Sequence, residues 1–214
     1  MNNLLSIWKK YSYIILLFFI IGGLFDFRIG LIAIICMVGP IFLSFFRGRF
    51  WCGNFCPRGS FYDNVVSKFS KKNKTPDILK SKYFRVFVTV LMLTVFTLGM
   101  IQNFGNLYKM GFVFYRLIVV TTLIGLALSL FFNHRTWCSF CPMGSIAALI
   151  ASFKNKKNAS SLLKVDSSCV SCKICEKKCP MGISPYEYKN ASIIDKDCIQ
   201  CGVCVYFCPK KSIK

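Results

Sequence analysis

Four apolar runs, Tyr11 to Phe25, Ile29 to Phe46, Phe84 to Ile101 and Leu117 to Phe132, dictate most of what this chain can fold into. Each holds 15 to 18 residues, close to the roughly 20 apolar residues that cross a bilayer as a helix. Charges interrupt them too rarely for four core helices of a water-soluble protein. The chain is 55% hydrophobic yet carries a formal net charge of +20, a pairing expected of an integral membrane protein with basic flanks. Thr75-Pro76-Asp77 reads as N-cap, first-position proline and first-turn acid, so the third helix is expected to start near Pro76 on the membrane surface. Gly39-Pro40 predicts a kink in the second, which a lipid-embedded helix tolerates. Lys9-Lys10 before the first run gives it the look of a signal peptide. No small-residue cleavage site follows, so it is expected to stay as a helix.

Positive residues set the expected orientation. Of the 28 Lys and Arg, only Arg28, Lys109 and Arg116 fall on the side opposite the N-terminus. By the positive-inside rule, both termini and the 47–85 loop face the cytoplasm of a multi-pass protein of the cell membrane.

Thirteen cysteines require paired thiols in an oxidising compartment or a bound metal. Their spacing selects the metal. CVSCKICEKKCP from Cys169 and CIQCGVCVYFCP from Cys198 each read C-x2-C-x2-C-x3-C-P, the bacterial ferredoxin run for a [4Fe–4S] cluster, in which the fourth cysteine serves the other cluster. Cys169, Cys172, Cys175 and Cys208 are thus expected to hold one cluster, and Cys198, Cys201, Cys204 and Cys179 the other. A zinc site would use pairs of cysteines, and disulfides conflict with the expected cytoplasmic side. The segment resembles a two-cluster bacterial ferredoxin along its length. Its eight Lys and five acidic residues over 166–214 are offset once two clusters of about −2 each are bound. The positive residues follow membrane topology rather than one patch, so no nucleic-acid partner is expected.

The remaining cysteines repeat. FFRGRFWCGNFCPRGS from Phe45 and FFNHRTWCSFCPMGS from Phe131 align Arg49 with Arg135, Trp51 with Trp137, Cys52 with Cys138, Cys56-Pro57 with Cys141-Pro142 and Gly59-Ser60 with Gly144-Ser145. Each copy follows a pair of apolar runs, so the repeat unit is a helical hairpin, about 11–70 and 84–154, and the two are parallel about an axis along the membrane normal. Proline after the second cysteine suits a first helical position, placing Cys56 and Cys141 near N-caps, where the helix end and the arginines favour a thiolate or an anionic cluster. Ser60–Phe69 and Ser145–Phe153 read as amphipathic helices on the membrane surface, with Trp51 and Trp137 at headgroup level. Cys52, Cys56, Cys138 and Cys141 admit three readings: a third iron–sulfur cluster, redox-active thiols or a transiently bound metal ion, and plain packing at helix starts. The spacers differ by one residue, so symmetry is not strict. Cys36 reads as packing.

These motifs resemble the membrane polyferredoxins of the NapH and NosR type, which share four or more transmembrane helices, two C-x3-C-P motifs and a C-terminal two-cluster segment. Cys52 to Pro57 fits that motif; Cys138 to Pro142 is one residue short. The resemblance implies electron transfer between a quinone pool or cytoplasmic donor and redox partner subunits, with membrane lipid around the helices. A quinone or metal-ion reductase at the Cys-Pro site, and a redox-sensing or assembly factor, are the alternatives. His134 is the only histidine, which rules out a bis-histidine haem within one chain and leaves His134 as an interfacial residue. No dinucleotide fingerprint or P-loop is present. The expected fold is an α-helical membrane protein of four transmembrane helices in two parallel-repeat hairpins (1–158), a linker (159–165) and a small α+β bacterial ferredoxin-like domain (166–214).

Overall fold

The computed structural model describes residues 3–71, 73, 75–154 and 162–214. Residues 159–161 of the expected linker, and the boundary at 158, lie outside the described residues. Helices α1 (Asn3–Tyr11) and α2 (Tyr13–Phe25) lead into a 3-10 stretch, Phe27–Ile32, and then α3 (Ala33–Arg47). Short helices α4 (Phe50–Asn54), α5 (Pro57–Asn64) and α6 (Asp77–Lys80) precede the long helices α7 (Lys82–Gln102) and α8 (Leu107–Phe131). Then follow α9 (Thr136–Phe140) and α10 (Pro142–Lys154). The C-terminal module holds β1 (Lys164–Val165), α11 (Ile174–Lys178), β2 (Ala191–Ser192) and α12 (Val203–Tyr206).

Four stretches, Leu5–Phe25, Phe27–Arg47, Lys82–Gln102 and Leu107–Phe131, are helices long and apolar enough to cross a bilayer. Their outer faces carry apolar side chains in the open, such as Phe18 at 65%, Leu24 at 69% and Phe87 at 63% exposure. Water would disfavour such a surface and hydrocarbon would not. The third helix departs from expectation. It begins at Lys82, where the Ser81 side chain accepts a hydrogen bond from the Phe84 N–H. Pro76 instead caps the separate four-residue turn α6. Thr75 points away, its hydroxyl 3.1 Å from that of Thr136.

The second spanning stretch keeps Pro40 inside a continuous α3, and its irregularity falls earlier, in the 3-10 turns over Phe27–Ile32. Small residues explain that placement. A Cβ on Gly30 would lie 2.2 Å from the Gly111 carbonyl oxygen, and one on Gly111 would lie 2.0 Å from that of Phe27. Backbone thus meets backbone there, as small residues allow between membrane helices.

In the C-terminal module β1 and β2 pair antiparallel, Lys164 with Ser192 and Val165 with Ala191, and Val165 also bridges Ile213. Val165, Ile193 and Ile213 form its small core together with the cysteine side chains.

Candidate functional site

The two C-terminal runs wrap in the same way. Ser171 and Lys173 in the first, and Gln200 and Gly202 in the second, all adopt positive φ, between 50° and 78°. For the three residues with a Cβ this costs about 1–2 kcal/mol each. The turn curls each loop around its cysteines and points backbone N–H groups inward, a concavity that suits an anion. One cavity is lined by Cys179, Cys198, Cys201 and Cys204, and the other by Cys169, Cys172, Cys175 and Cys208. Each therefore takes three thiols from one run and the fourth from the other.

The sulfurs also meet donors. The Ser212 N–H lies 3.4 Å from Cys208 Sγ. Burial raises the Cys179 thiol, against N–H donors from Ile183, Met181 and Gly182. Burial pushes Cys204 up to about 12 and Cys198 higher still. Without a cation these thiols stay protonated, whereas iron deprotonates its thiol ligands outright. Among the described residues no three Cys, His, Asp or Glu converge tightly enough for a single metal ion. Four thiols spread around one cavity, with amide donors behind them, fit a multi-iron cluster.

The repeated Cys-Pro stretches form the second site. Cys56 is the N-cap residue of α5 and Cys141 directly precedes Pro142 at the start of α10. In each copy the serine N–H four residues on donates to the cysteine carbonyl, Ser60 to Cys56 at 3.0 Å and Ser145 to Cys141 at 2.7 Å. The arginines do more than add charge. Both are 1% exposed, and each crosses to the other copy. Arg49 Nη2 donates to the Cys138 carbonyl at 2.5 Å, and Arg135 Nη1 donates to the Cys52 carbonyl at 2.9 Å. The paired glycines make room for the exchange. A Cβ on Gly59 would lie 2.7 Å from Arg135 Nη1, and one on Gly144 would lie 2.6 Å from Arg49 Nη2.

Burial pushes Cys52 up to about 12 despite Arg49, and ionisation of Cys56, Cys141 or Cys138 would raise it further, so the four thiols sit within electrostatic reach of one another. Cys52, Cys56 and Cys141 line a cavity of about 170 Å³ between the long helices, along with Cys36. Cys138 does not line it; its sulfur lies 3.6 Å from Arg135 Nη1.

Several expectations are corrected here. Segment 60–69 is not a surface helix: α5 ends at Asn64, and Tyr62 and Val66, 0% and 2% exposed, pack under Trp137 and Phe140. Segment 145–153 does lie on a helix, α10, with Ala147, Ala148 and Ala151 buried and Leu149 and Phe153 exposed. Trp51 and Trp137 line the cavity rather than face headgroups, and neither indole N–H has a protein partner. His134 is partly buried, with Nε2 3.5 Å from Asp63 Oδ1. Cys36 faces the cavity rather than merely packing in its helix.

Sequence reasoning missed the counterions. Asp63 takes two bonds from Arg135, from Nε at 2.8 Å and Nη2 at 2.7 Å. Burial opposes its ionisation, yet Arg135 and His134 outweigh that and hold its carboxyl well below the usual range. Asp197 serves Arg49 at 3.0 Å and receives a two-pronged pair from Arg85 at 2.7 and 2.8 Å. Burial opposes ionisation there too, but the bond from Arg85 and the charge of Arg49 lower its pKa. Arg58 was also missed. It bonds Thr121 Oγ1 at 2.7 Å, lies 3.8 Å from Cys141 Sγ and stacks on Trp137 at 5.4 Å. No carboxylate pairs with it among the described residues. One signal was available: Asp63 is one of three acidic residues before residue 166.

Comparison with known proteins agrees with the cysteine geometry. A family model described as a 4Fe–4S binding domain matches residues 29–76 and 115–160, one hairpin end at a time. A second, described as a 4Fe–4S dicluster domain, matches residues 168–213. Two uncharacterised proteins of Methanocaldococcus jannaschii are similar, one 32% identical over 77% of this chain and the other 31% over 69%. The chain spans about 65% of the length of each. No solved structure matches. The chain is thus an iron–sulfur, ferredoxin-like protein with [4Fe–4S]-binding domains and cysteines enough for two clusters.

Proposed function

We propose that this chain is a membrane-anchored electron carrier of the NapH and NosR kind, holding two clusters in its C-terminal module and a third centre between the paired Cys-Pro motifs. Cys169, Cys172, Cys175 and Cys208 hold one cluster, and Cys179, Cys198, Cys201 and Cys204 the other. Cys52, Cys56, Cys138 and Cys141 hold the third. The observation that carries this reading is the exchange of the fourth cysteine, which lines each C-terminal cavity with four thiols from two runs. At the Cys-Pro site, Arg58 supports an anionic occupant, since a part-buried guanidinium with no carboxylate partner favours one. A bound [4Fe–4S] cluster supplies one-electron redox chemistry. The protein's own residues fix the thiols and lend N–H donors to the sulfurs. Positive-inside counting places the termini and all three thiol sets on the cytoplasmic side, with redox partner subunits as the external donor and acceptor.

Anaerobic purification with iron and sulfide analysis tests this. Two cubanes give about 8 Fe per chain, and a third raises the figure to about 12. Cys52→Ala and Cys138→Ala are each expected to return it to about 8. A count of 8 in the parent chain, unchanged in both variants, would remove the third centre.

The cavity beneath the Cys-Pro site favours a second reading, a reductase for a lipid-soluble quinone. Its walls are apolar helix faces, with Arg58 and Thr121 as polar points. Reduction of a quinone analogue by the isolated protein, lost in Arg58→Leu, is the outcome expected of that reading.

A further inference from the structure

Both halves of this molecule are internal repeats, and in each half an acidic residue of one copy has a neutral counterpart in the other. In the helical body Asp63 neutralises Arg135, but the matching residue of the second copy is Ala148. Arg49, the arginine that Ala148 would serve, is therefore left without an acid from its own domain. In the C-terminal module Asp197 directly precedes the first cysteine of the second run, and the matching residue of the first run is Ser168. The two irregularities meet, because Asp197 fills the place that Ala148 leaves empty. A buried arginine needs such a partner.

The contacts around that pair all fall on one cysteine loop. Arg85 grips both oxygens of Asp197. Asn54 Nδ2 donates to the Gln200 carbonyl at 3.2 Å, and Gln200 Nε2 donates to the Arg47 carbonyl at 2.6 Å. Lys9 Nζ donates to the Cys201 carbonyl at 2.7 Å. A Cβ on Gly53 would lie 2.1 Å from the Ile199 carbonyl oxygen and 3.3 Å from the Cys201 nitrogen. Gly53 stands between Cys52 and Cys56, so backbone touches backbone between two thiol sets. Cys172, on the other cavity, is exposed.

We infer that the C-terminal module docks in one polarity, with the Cys179, Cys198, Cys201 and Cys204 set against the Cys-Pro site and the Cys169, Cys172, Cys175 and Cys208 set turned outward. Arg49 and Asp197 are the positioning residues. Arg49 reaches Asp197 with Nη1 and the Cys138 carbonyl with Nη2, and so ties one loop to the opposite half-site. The module is itself pseudo-symmetric, and its two runs wrap in the same way. Ser168 in place of Asp197 would leave Arg49 and Arg85 buried and unpaired, and that charge difference selects the polarity. The outer set is then the one that a soluble one-electron carrier protein can reach. The ordering by cluster rests on the proposed function; the docking itself does not.

The test is hydrogen–deuterium exchange on the full, cluster-loaded chain in detergent, with iron analysis on every sample. Asp197→Asn weakens the charge pairing, and Gly53→Ala separates the backbones without touching a charge. Each is expected to speed amide exchange in 49–56 and 197–201 by tenfold or more. Asp166→Asn, at the position matching Asp195 and paired with Lys214, is expected to leave both segments as in the parent. Unchanged exchange in Asp197→Asn and Gly53→Ala, or an equal rise in Asp166→Asn, would overturn the polarity. Faster exchange in the first two with only about 8 Fe in the parent would uphold the docking while removing the third centre.

Discussion

Replacing Arg135 with methionine probes the link between the two repeats most directly. The guanidinium is 1% exposed, gives two bonds to Asp63 and one to the Cys52 carbonyl, and approaches Cys138 Sγ. Methionine fills similar volume and returns none of these. Asp63 would then stand as a half-buried carboxylate with only His134 and the more distant charge of Lys9 to offset it, and breaking a buried pair in this way costs up to about 3–5 kcal/mol. The stranded Cys52 carbonyl adds to that, though not additively. At about 2–4 °C per kcal/mol for a chain of this size, the melting midpoint should fall by roughly 6–20 °C. Circular dichroism of the anaerobic, detergent-solubilised protein reads it. Arg135→Met with Asp63→Leu strands neither member of this pair, so the double variant should melt well above Arg135→Met alone. A midpoint within about 2 °C of the parent for Arg135→Met, or losses that simply add in the double variant, would refute the interlock.

Gly59→Ala and Gly144→Ala should both lower the melting midpoint, because each Cβ displaces the arginine of the opposite copy; equal stability to the parent would mean that the arginines have room to move. Asp63 carries a pH signature. Its folded pKa is depressed, so its stabilisation is present above the unfolded value of about 3.9 and is lost as pH falls through the folded value. The melting gap between the parent and Asp63→Asn should hold from about pH 8 to 5 and narrow below about pH 4, as thermal scans across that range would record. Gly30→Val should force the 3-10 stretch away from α8 and cost several kcal/mol through overpacking, on the order of the upper range for core insertions, measured as loss of folded protein in detergent.

The local features of this molecule were legible in its sequence. Apolar runs mark the long helices because hydropathy is read along the chain without reference to partners. The C-x2-C-x2-C-x3-C spacing carries the cluster chemistry because its three leading cysteines lie within one loop. The paired hairpins and their cysteines announce themselves by alignment. Helix starts were less legible: Thr75-Pro76-Asp77 has the right residue types, but Ser81 captures the N–H that begins α7.

What the tertiary structure alone decided is the network joining these parts. Arg49 and Arg135 were visible as charges near thiols, but their crossing to the carbonyls of Cys138 and Cys52 depends on how two hairpins meet, which no periodicity records. Tyr62 is buried and Trp137 turned inward by the same meeting. Asp63 and Asp197 lie 72 and 148 residues from the arginines they neutralise. A long-range ion pair leaves no local pattern, since sequence spacing reports only neighbours on one helix or loop. The sequence by itself determined which elements exist and which cysteines can share a cluster. The packing of two broken repeats against each other decided which cysteine loop meets the helical body, because only there do Arg49 and Arg85 find a carboxylate.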